Sequence, residues 1–390
     1  MLKKIPILVL VLFQFNPVKS QAQEQIVIGS IHQIHSEILN ENREFWINLP
    51  ESYGEKGASY KRYPLLILLD VNAHFKSVTG MVNYLSSGAN GNYRIPEMIV
   101  VGIQNVDRRR DFTPDHVPTT RSNNSGGGDP FLAFLEEELI PKLDHEFRTQ
   151  PYRILFGHSL GGLLAAHAYL KEQTLFNAFL AIDPSFGTWD AATMDQKLEN
   201  ISENSFARYL YLATANWDSR NLRNRDRHVR FYESLHSLSE SDDRLDYDYF
   251  ENENHGSVPP IAFYEGISSL YSGYGVSYRE IETVPQLEAH FQAISERLSW
   301  EILPPEALVN QIGYAFLRSR EENTQTKSLD FFKLNAQNYP YSPNAFDSLG
   351  DAYEALGDPA KAKESYRKAL DLDPNNSYLQ KKLERLSHSN

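Results

Sequence analysis

The chain has 390 residues, 41% of them hydrophobic and 23% charged, with a net charge of −13 and no cysteine. It is longer than one hydrophobic core ordinarily fills, so two folded parts of an ordinary globular protein are expected. The negative field argues against a nucleic-acid partner, and the lack of Cys excludes disulfides, thiolate-held metals and a thiol nucleophile.

Lys3 and Lys4 precede a short apolar stretch, residues 5–15, and Ser20-Gln21-Ala22 offers small residues at a cleavage site. Residues 1–22 therefore read as a signal peptide, which predicts export to the periplasm or the extracellular space. No membrane span is expected after its removal.

Residues 25–34 and 44–49 alternate or are rich in β-branched side chains, as antiparallel edge strands do. Continuous apolar runs follow at 65–69, 98–103, 152–156, 178–182 and 209–213, with a more polar strand candidate at 245–250. Such runs suit parallel strands covered on both faces. Helical patterns lie between them, at 129–147, where Phe131, Phe134, Leu135, Ile140 and Leu143 share a face, and at 160–171. Strand alternating with helix predicts a doubly wound, mostly parallel α/β sheet over residues 23–285. The Ser/Asn/Gly-rich segment 121–129 reads as a mobile surface loop.

After a linker or helix at 286–302, residues 303–390 become helical and repetitive. In 343–376, Phe346, Leu349, Gly350, Tyr353, Ala362, Tyr366, Ala369 and Pro374 stand at the spacings of a tetratricopeptide repeat. A degenerate copy precedes it: Pro340 and Phe332 lie one period before Pro374 and Tyr366, and Ile312-Gly313 stands for Leu349-Gly350. Residues 379–386 read as a capping helix. Two repeats are fewer than usually stand alone, so this small all-α domain is expected to lean on the first. A peptide or protein partner is its expected ligand.

The chemistry begins at Gly157-His158-Ser159-Leu160-Gly161, between a buried strand and a helix. A sharp strand-to-helix turn exposes a nucleophilic serine, and its glycines remove side chains that would collide. A serine hydroxyl is a poor nucleophile without a His held by a carboxylate, and the partners should follow in the order acid, then His, after later strands. His255 follows the last strand in "FENENHGSVPP". Asp218 follows the 209–213 strand in "TANWDSRN", with Asp226 and the acids of 242–253 as competitors. One oxyanion donor should be the backbone N–H of Leu160, and the second that of Val71 or Asn72, after the 65–69 strand. Phe186 and Trp189 are candidates to wall the substrate pocket, with ordinary packing as the rival reading. Arg108, Arg109 and Arg110 fit an anionic substrate, or a surface loop paired with Asp107 and Asp111. His158, next to the nucleophile, reads as structural, and His32 and His35 are too isolated for a metal site, so no metal or cofactor is expected.

With these residues placed, "YPLLILLDVNAHF", "IVVGIQNVDRRRDFTP", "FLEEELIPKLDHEFRT", "YRILFGHSLGGLLAAHAYL" and "ENENHGSVP" resemble the esterase family of the α/β-hydrolase superfamily. That group includes ferric enterobactin (siderophore) esterases, esterase D and feruloyl esterases. The resemblance covers about residues 25–275 and implies catalytic roles for Ser159 and His255. Relatives use an acid after the penultimate strand or a Ser-His dyad, and often carry Gly where this chain has Val71. The implied activity is that of an exported serine esterase acting on a small-molecule ester, siderophore esters included. The rival is a non-catalytic hydrolase-fold scaffold that binds a peptide through its repeats.

Overall fold

The computed structural model describes residues 25–55, 60–87, 93–116, 124–171, 174–199, 201, 203–217, 222–239, 243–320 and 324–388. The expected signal segment, residues 1–22, and Asp218 lie outside the described residues.

Among the described residues one sheet contains β1 (Ser30–Ser36), β2 (Glu41–Asn48), β3 (Tyr63–Leu68), β4 (Ile99–Ile103), β5 (Thr149–His158), β6 (Ala178–Ile182), β7 (Tyr209–Ala215) and β8 (Leu245–Phe250). Their spatial order is β1-β2-β4-β3-β5-β6-β7-β8. The pairings β1 with β2 and β2 with β4 are antiparallel, and all the others are parallel. The fold is the doubly wound α/β sheet that the apolar runs predict. Its helices are α1 (Val71–Ser86), α2 (Arg108–Phe112), α3 (Gly128–Phe134), α4 (Ile140–Glu146), α5 (Leu160–Leu170), α6 (Ala191–Glu199), α7 (Leu222–Leu238) and α8 (Val258–Leu270).

Because side chains alternate along a strand, β3 feeds two cores. Leu65 and Ile67 join Phe131, Leu135, Leu164 and Phe231 on one face of the sheet, while Leu66 and Leu68 join Phe75, Val78, Phe263 and Ile267 on the other. Each such buried side chain contributes roughly 1.5–3 kcal/mol of transfer free energy, which is why the central strands carry no polar face.

The helical pattern at 129–147 forms with an interruption. A π turn, Leu135–Leu139, joins α3 to α4 and keeps both Leu135 and Leu139 in the core. Pro141, two residues on, lacks an N–H and crowds the carbonyl four residues before it, and a widened turn relieves that crowding. The glycine run at 126–128 is pinned: Gly126 and Gly128 both donate to the Thr113 carbonyl, and Gly127 donates to the Arg110 carbonyl.

The segment expected as a linker or helix is mostly α9 (Val284–Leu298). Then come α10 (Glu306–Leu317), α11 (Gln325–Asn338), α12 (Pro343–Ala355), α13 (Pro359–Leu372) and α14 (Ser377–His388). Glycine marks the close approach of helices in both repeats: a side chain at Gly350 would strike the Tyr366 ring, and one at Gly313 the Phe332 ring. The repeats lean on the first domain, as two repeats alone would need. Leu308, Val309, Ile312 and Phe331 share one buried cluster with Leu287 and Phe291 of α9 and Tyr271 beyond α8.

Candidate active site

β5 runs into Ser159, which has φ 61° and ψ −116°, and α5 starts at the next residue. A serine in this sparsely populated region stores about 1–3 kcal/mol, so the surroundings must fix it. They do so through three backbone bonds. Ser159 N–H donates to the Ile182 carbonyl at 3.0 Å, and the Ser159 carbonyl accepts from Ser185 and Leu163, each at 2.9 Å. Gly157 is required because any Cβ there would strike the carbonyl of Gly161. The elbow expected from the sequence is formed.

His255 stands in a tight turn between β8 and α8. Asn254 Oδ1 closes that turn by accepting the N–H groups of Gly256 at 2.9 Å and Ser257 at 3.2 Å. The turn carries His255 Nε2 to 3.1 Å from Ser159 Oγ. On its other side, His255 Nδ1 lies 2.5 Å from Oδ2 of Asp183. A carboxylate only accepts, so Nδ1 carries the proton and Nε2 accepts the Ser159 hydroxyl. Ser185 Oγ is 3.0 Å from Ser159 Oγ. With the Ser159 proton committed to His255, Ser185 is the donor there.

The carboxylate on His255 is therefore Asp183, the residue directly after β6, and the sequence reading missed it. It is fully buried and has φ 41°. Oδ1 accepts the Ala215 N–H at 3.1 Å, and Oδ2 also accepts the Trp217 indole N–H at 2.7 Å. Burial alone would raise its pKa, but the hydrogen bonds from His255 and from the Ala215 amide hold it below the usual value. Its place at the carboxyl end of a continuous apolar strand was the available signal, in "AIDPSFG". The expectation of Asp218 followed the usual position after the penultimate strand. Here the Nδ1 partner comes one strand earlier.

Behind Asp183 sits a second missed residue, His228 of α7, which is fully buried. Its Nε2 donates to the Pro184 carbonyl at 2.6 Å, so its Nδ1 accepts the Thr214 hydroxyl at 2.8 Å. Burial holds its pKa down, leaving a neutral ring 3.8 Å from Asp183 Oδ1. His158, read as structural, also lies in the site, its ring centroid 4.5 Å from that of His255. Burial, then the charges of His255 and His74, pull the pKa of His158 down to about 4.

Leu160 opens α5, and Val71 and Asn72 open α1, so their N–H groups are first-turn donors without intrahelical acceptors. The two helix starts abut: a Cβ on Gly161 would contact Leu69 and Asp70 at 3.4 and 3.5 Å. Val71 is buried against Gly102, whereas Asn72 lines a cavity of about 330 Å³ together with His74, Asn105, Arg108, His158 and Gly256. Arg108 is held there by Asp70, at 2.6 and 2.8 Å, and also donates to the His158 carbonyl at 3.2 Å. Arg110 pairs with Glu41 and Asp111. Phe186 and Trp189 are corrected from pocket wall to core. Both are fully buried, they stack on each other at 4.9 Å, and the Trp189 indole donates to Asp115. Among the described residues no His, Asp and Glu group has metal-site geometry.

Comparison with known proteins identifies the family. The model of the family described as "Putative esterase" matches residues 36–243, more than half of the chain. The chain belongs to that family. A tetratricopeptide-repeat model matches residues 343–376. Ferri-bacillibactin esterase BesA of Bacillus subtilis is 29% identical over 222 residues, which is 51% of this chain and 75% of that protein. The siderophore enterobactin esterase of Emericella nidulans is 32% identical over 164 residues, spanning 36% of this chain and about half (52%) of that protein. The crystal structure of an IroE-like serine hydrolase from Shewanella oneidensis matches with a TM-score of 0.69 at 26% identity, over 80% of this chain and 99% of that one. The BES protein of Bacillus cereus matches with a TM-score of 0.54 at 25% identity, over 63% and 96% of the two chains. The protein is thus a hydrolase of the esterase family with a C-terminal tetratricopeptide repeat, and no helix among the described residues is long and apolar enough to cross a membrane.

Proposed function

We propose that the protein is an exported serine esterase that cleaves carboxylic esters through an acyl-enzyme, with siderophore esters as its substrate class. The observation that carries this reading is the hydrogen-bonded line from Ser159 through His255 to Asp183, at 3.1 and 2.5 Å. Ser159 Oγ attacks the ester carbonyl while His255 Nε2 takes its proton, and Asp183 faces the imidazolium that forms. The carbonyl oxygen, now negative, is received by backbone N–H groups at the starts of α5 and α1, where the helix dipoles favour negative charge. His255 returns the proton to the leaving alcohol. Water, deprotonated by the same ring, then adds to the acyl carbon, and the collapsing intermediate expels Ser159 with its proton restored. No metal or organic cofactor enters these steps.

The substrate class rests on the names of the similar proteins, a ferri-bacillibactin esterase and a siderophore enterobactin esterase. Export rests on the Lys-led apolar segment at residues 1–22. The repeats are proposed to recruit a protein partner, since tetratricopeptide grooves serve that end. Incubation of the purified protein with simple acyl esters, aryl esters and catecholate trilactones tests the class. Hydrolysis of the trilactones supports it, and cleavage of simple esters alone removes siderophores from the proposal.

A further inference from the structure

The loop after β7 is the place where the sequence reading expected the catalytic acid. Two of its residues do something else there. Asn216 ties this loop to the one bearing His255: its N–H donates to the Glu253 carbonyl and its side-chain amide to the Glu251 carbonyl, each at 2.8 Å. Trp217 follows. Its indole N–H donates to Asp183 Oδ2 at 2.7 Å, the same oxygen that accepts His255 Nδ1–H at 2.5 Å. Its ring centroid lies 4.5 Å from that of His255, and His158 stands at the same distance from His255. The imidazole thus has a ring against it from the β7 loop and another from the elbow.

We infer that Trp217 is a positioning residue for catalysis, which fixes Asp183 through its indole N–H and steadies the His255 ring through its aromatic face. The inference rests on the proposed Ser159–His255–Asp183 mechanism. Asp183 has two oxygens and three N–H donors, and a carboxylate so bound cannot rotate away from His255 as the proton moves. The aromatic face has a second effect, because the ring beside it becomes cationic only as Ser159 attacks. Attraction between a cation and an indole face is then gained in the transition state and is absent with the neutral imidazole. The other neighbour, His158, is suited to this arrangement because a second cation at that distance would oppose the imidazolium. A tryptophan that merely filled space would need neither its N–H on the acid nor a ring tilted at 42° against the base.

Three variants separate the two contributions. Trp217→Phe keeps an aromatic ring, though a smaller one, and removes the N–H, and kcat should fall about tenfold, near the worth of one hydrogen bond to a charged group, with KM within about twofold. Trp217→Ala removes both, and kcat should fall about a hundredfold at nearly unchanged KM. Placed on Asp183→Asn, Trp217→Phe should cost clearly less than it does alone, because the charged carboxylate through which it acts is gone even where the Asn oxygen still accepts the indole N–H. The His255 Nδ1 proton resonance should move to lower field in Trp217→Phe, since Asp183 Oδ2 loses a competing donor. Wild-type kcat in both single variants overturns the inference. So does an equal loss from Trp217→Phe with and without Asp183, or an unmoved resonance in a variant whose circular dichroism matches wild type. If Asp183→Asn itself turns over like wild type, the failure belongs to the triad reading.

Discussion

Replacing Asp183 by Asn is the sharpest perturbation of the site. The carboxylate is fully buried and accepts three N–H groups, from His255, Trp217 and Ala215. Asn keeps the shape but has one acceptor oxygen and an NH₂ donor. If that oxygen stays on Trp217 and His255, the NH₂ faces the Ala215 N–H; if it turns to Ala215, His255 Nδ1 meets a donor and the ring adopts the wrong tautomer. In either case the imidazolium formed during attack has lost its counter-charge. Loss of the acid in a Ser-His-Asp arrangement lowers kcat by about 10⁴, which is about 5 kcal/mol of transition-state stabilisation. The assay is steady-state hydrolysis of an activated ester such as p-nitrophenyl butyrate, with circular dichroism and melting to establish folding. Asp218→Asn is the matched control and should stay near wild type, because His255 Nδ1 already has its partner. A well-folded Asp183→Asn enzyme within threefold of wild type, or an Asp218→Asn enzyme crippled in its place, would refute the reasoning.

His255→Ala should lower kcat/KM by at least about 10³ while leaving the melting curve close to wild type, since the ring is partly exposed and held in a surface turn. Gly157→Ala should destabilise the fold by roughly 2–4 kcal/mol in urea titrations, because the methyl group meets backbone of the elbow rather than a yielding side chain. Stability should fall on acidification from about pH 6.5 toward pH 4. The pKa of His158 is held down to about 4, so across that window the unfolded chain binds a proton that the folded one refuses. His74 and His228, also held low by burial, act in the same direction. Urea titrations at pH 7, 5.5 and 4.5 read the slope, and His158→Gln should flatten it. Asp183, with its pKa below the ordinary carboxylate value, loses its contribution only at lower pH still.

Where a feature rests on local pattern, the sequence shows it. Continuous apolar runs announce strands buried on both faces, and β6 lies where its run places it; the more polar β8, only partly buried, also falls at its predicted residues. The elbow is legible because its sterics demand glycine at position 157, where a Cβ would strike the Gly161 carbonyl, and His255 because a His-Gly turn follows the last strand. The second repeat is legible because Gly350 and Tyr366 must stand a fixed distance apart for two helices to touch. Features that depend on which strand lies beside which are harder to see. Asp183 and Asp218 both follow apolar strands, and only the turn geometry at the end of β6 brings the first onto His255. Phe186 and Trp189 carry the letters of an aromatic pocket, yet Phe231 and His228 of α7 pack against Phe186 and close the core over the pair. Trp217 and His228 carry no motif, and His158 is a variable position of one. Their relation to His255 and Asp183 exists only once β5, β6 and β7 are side by side.

The central claim is that Ser159 is the nucleophile, activated by His255. The most direct measurement is reaction of the purified protein with a fluorophosphonate, followed by peptide mass mapping of the adduct. The account predicts a single adduct on the peptide containing Ser159, formed with loss of esterase activity, absent in Ser159→Ala and strongly slowed in His255→Ala. An active protein that takes no adduct at Ser159, or that carries it elsewhere with turnover lost, would contradict it.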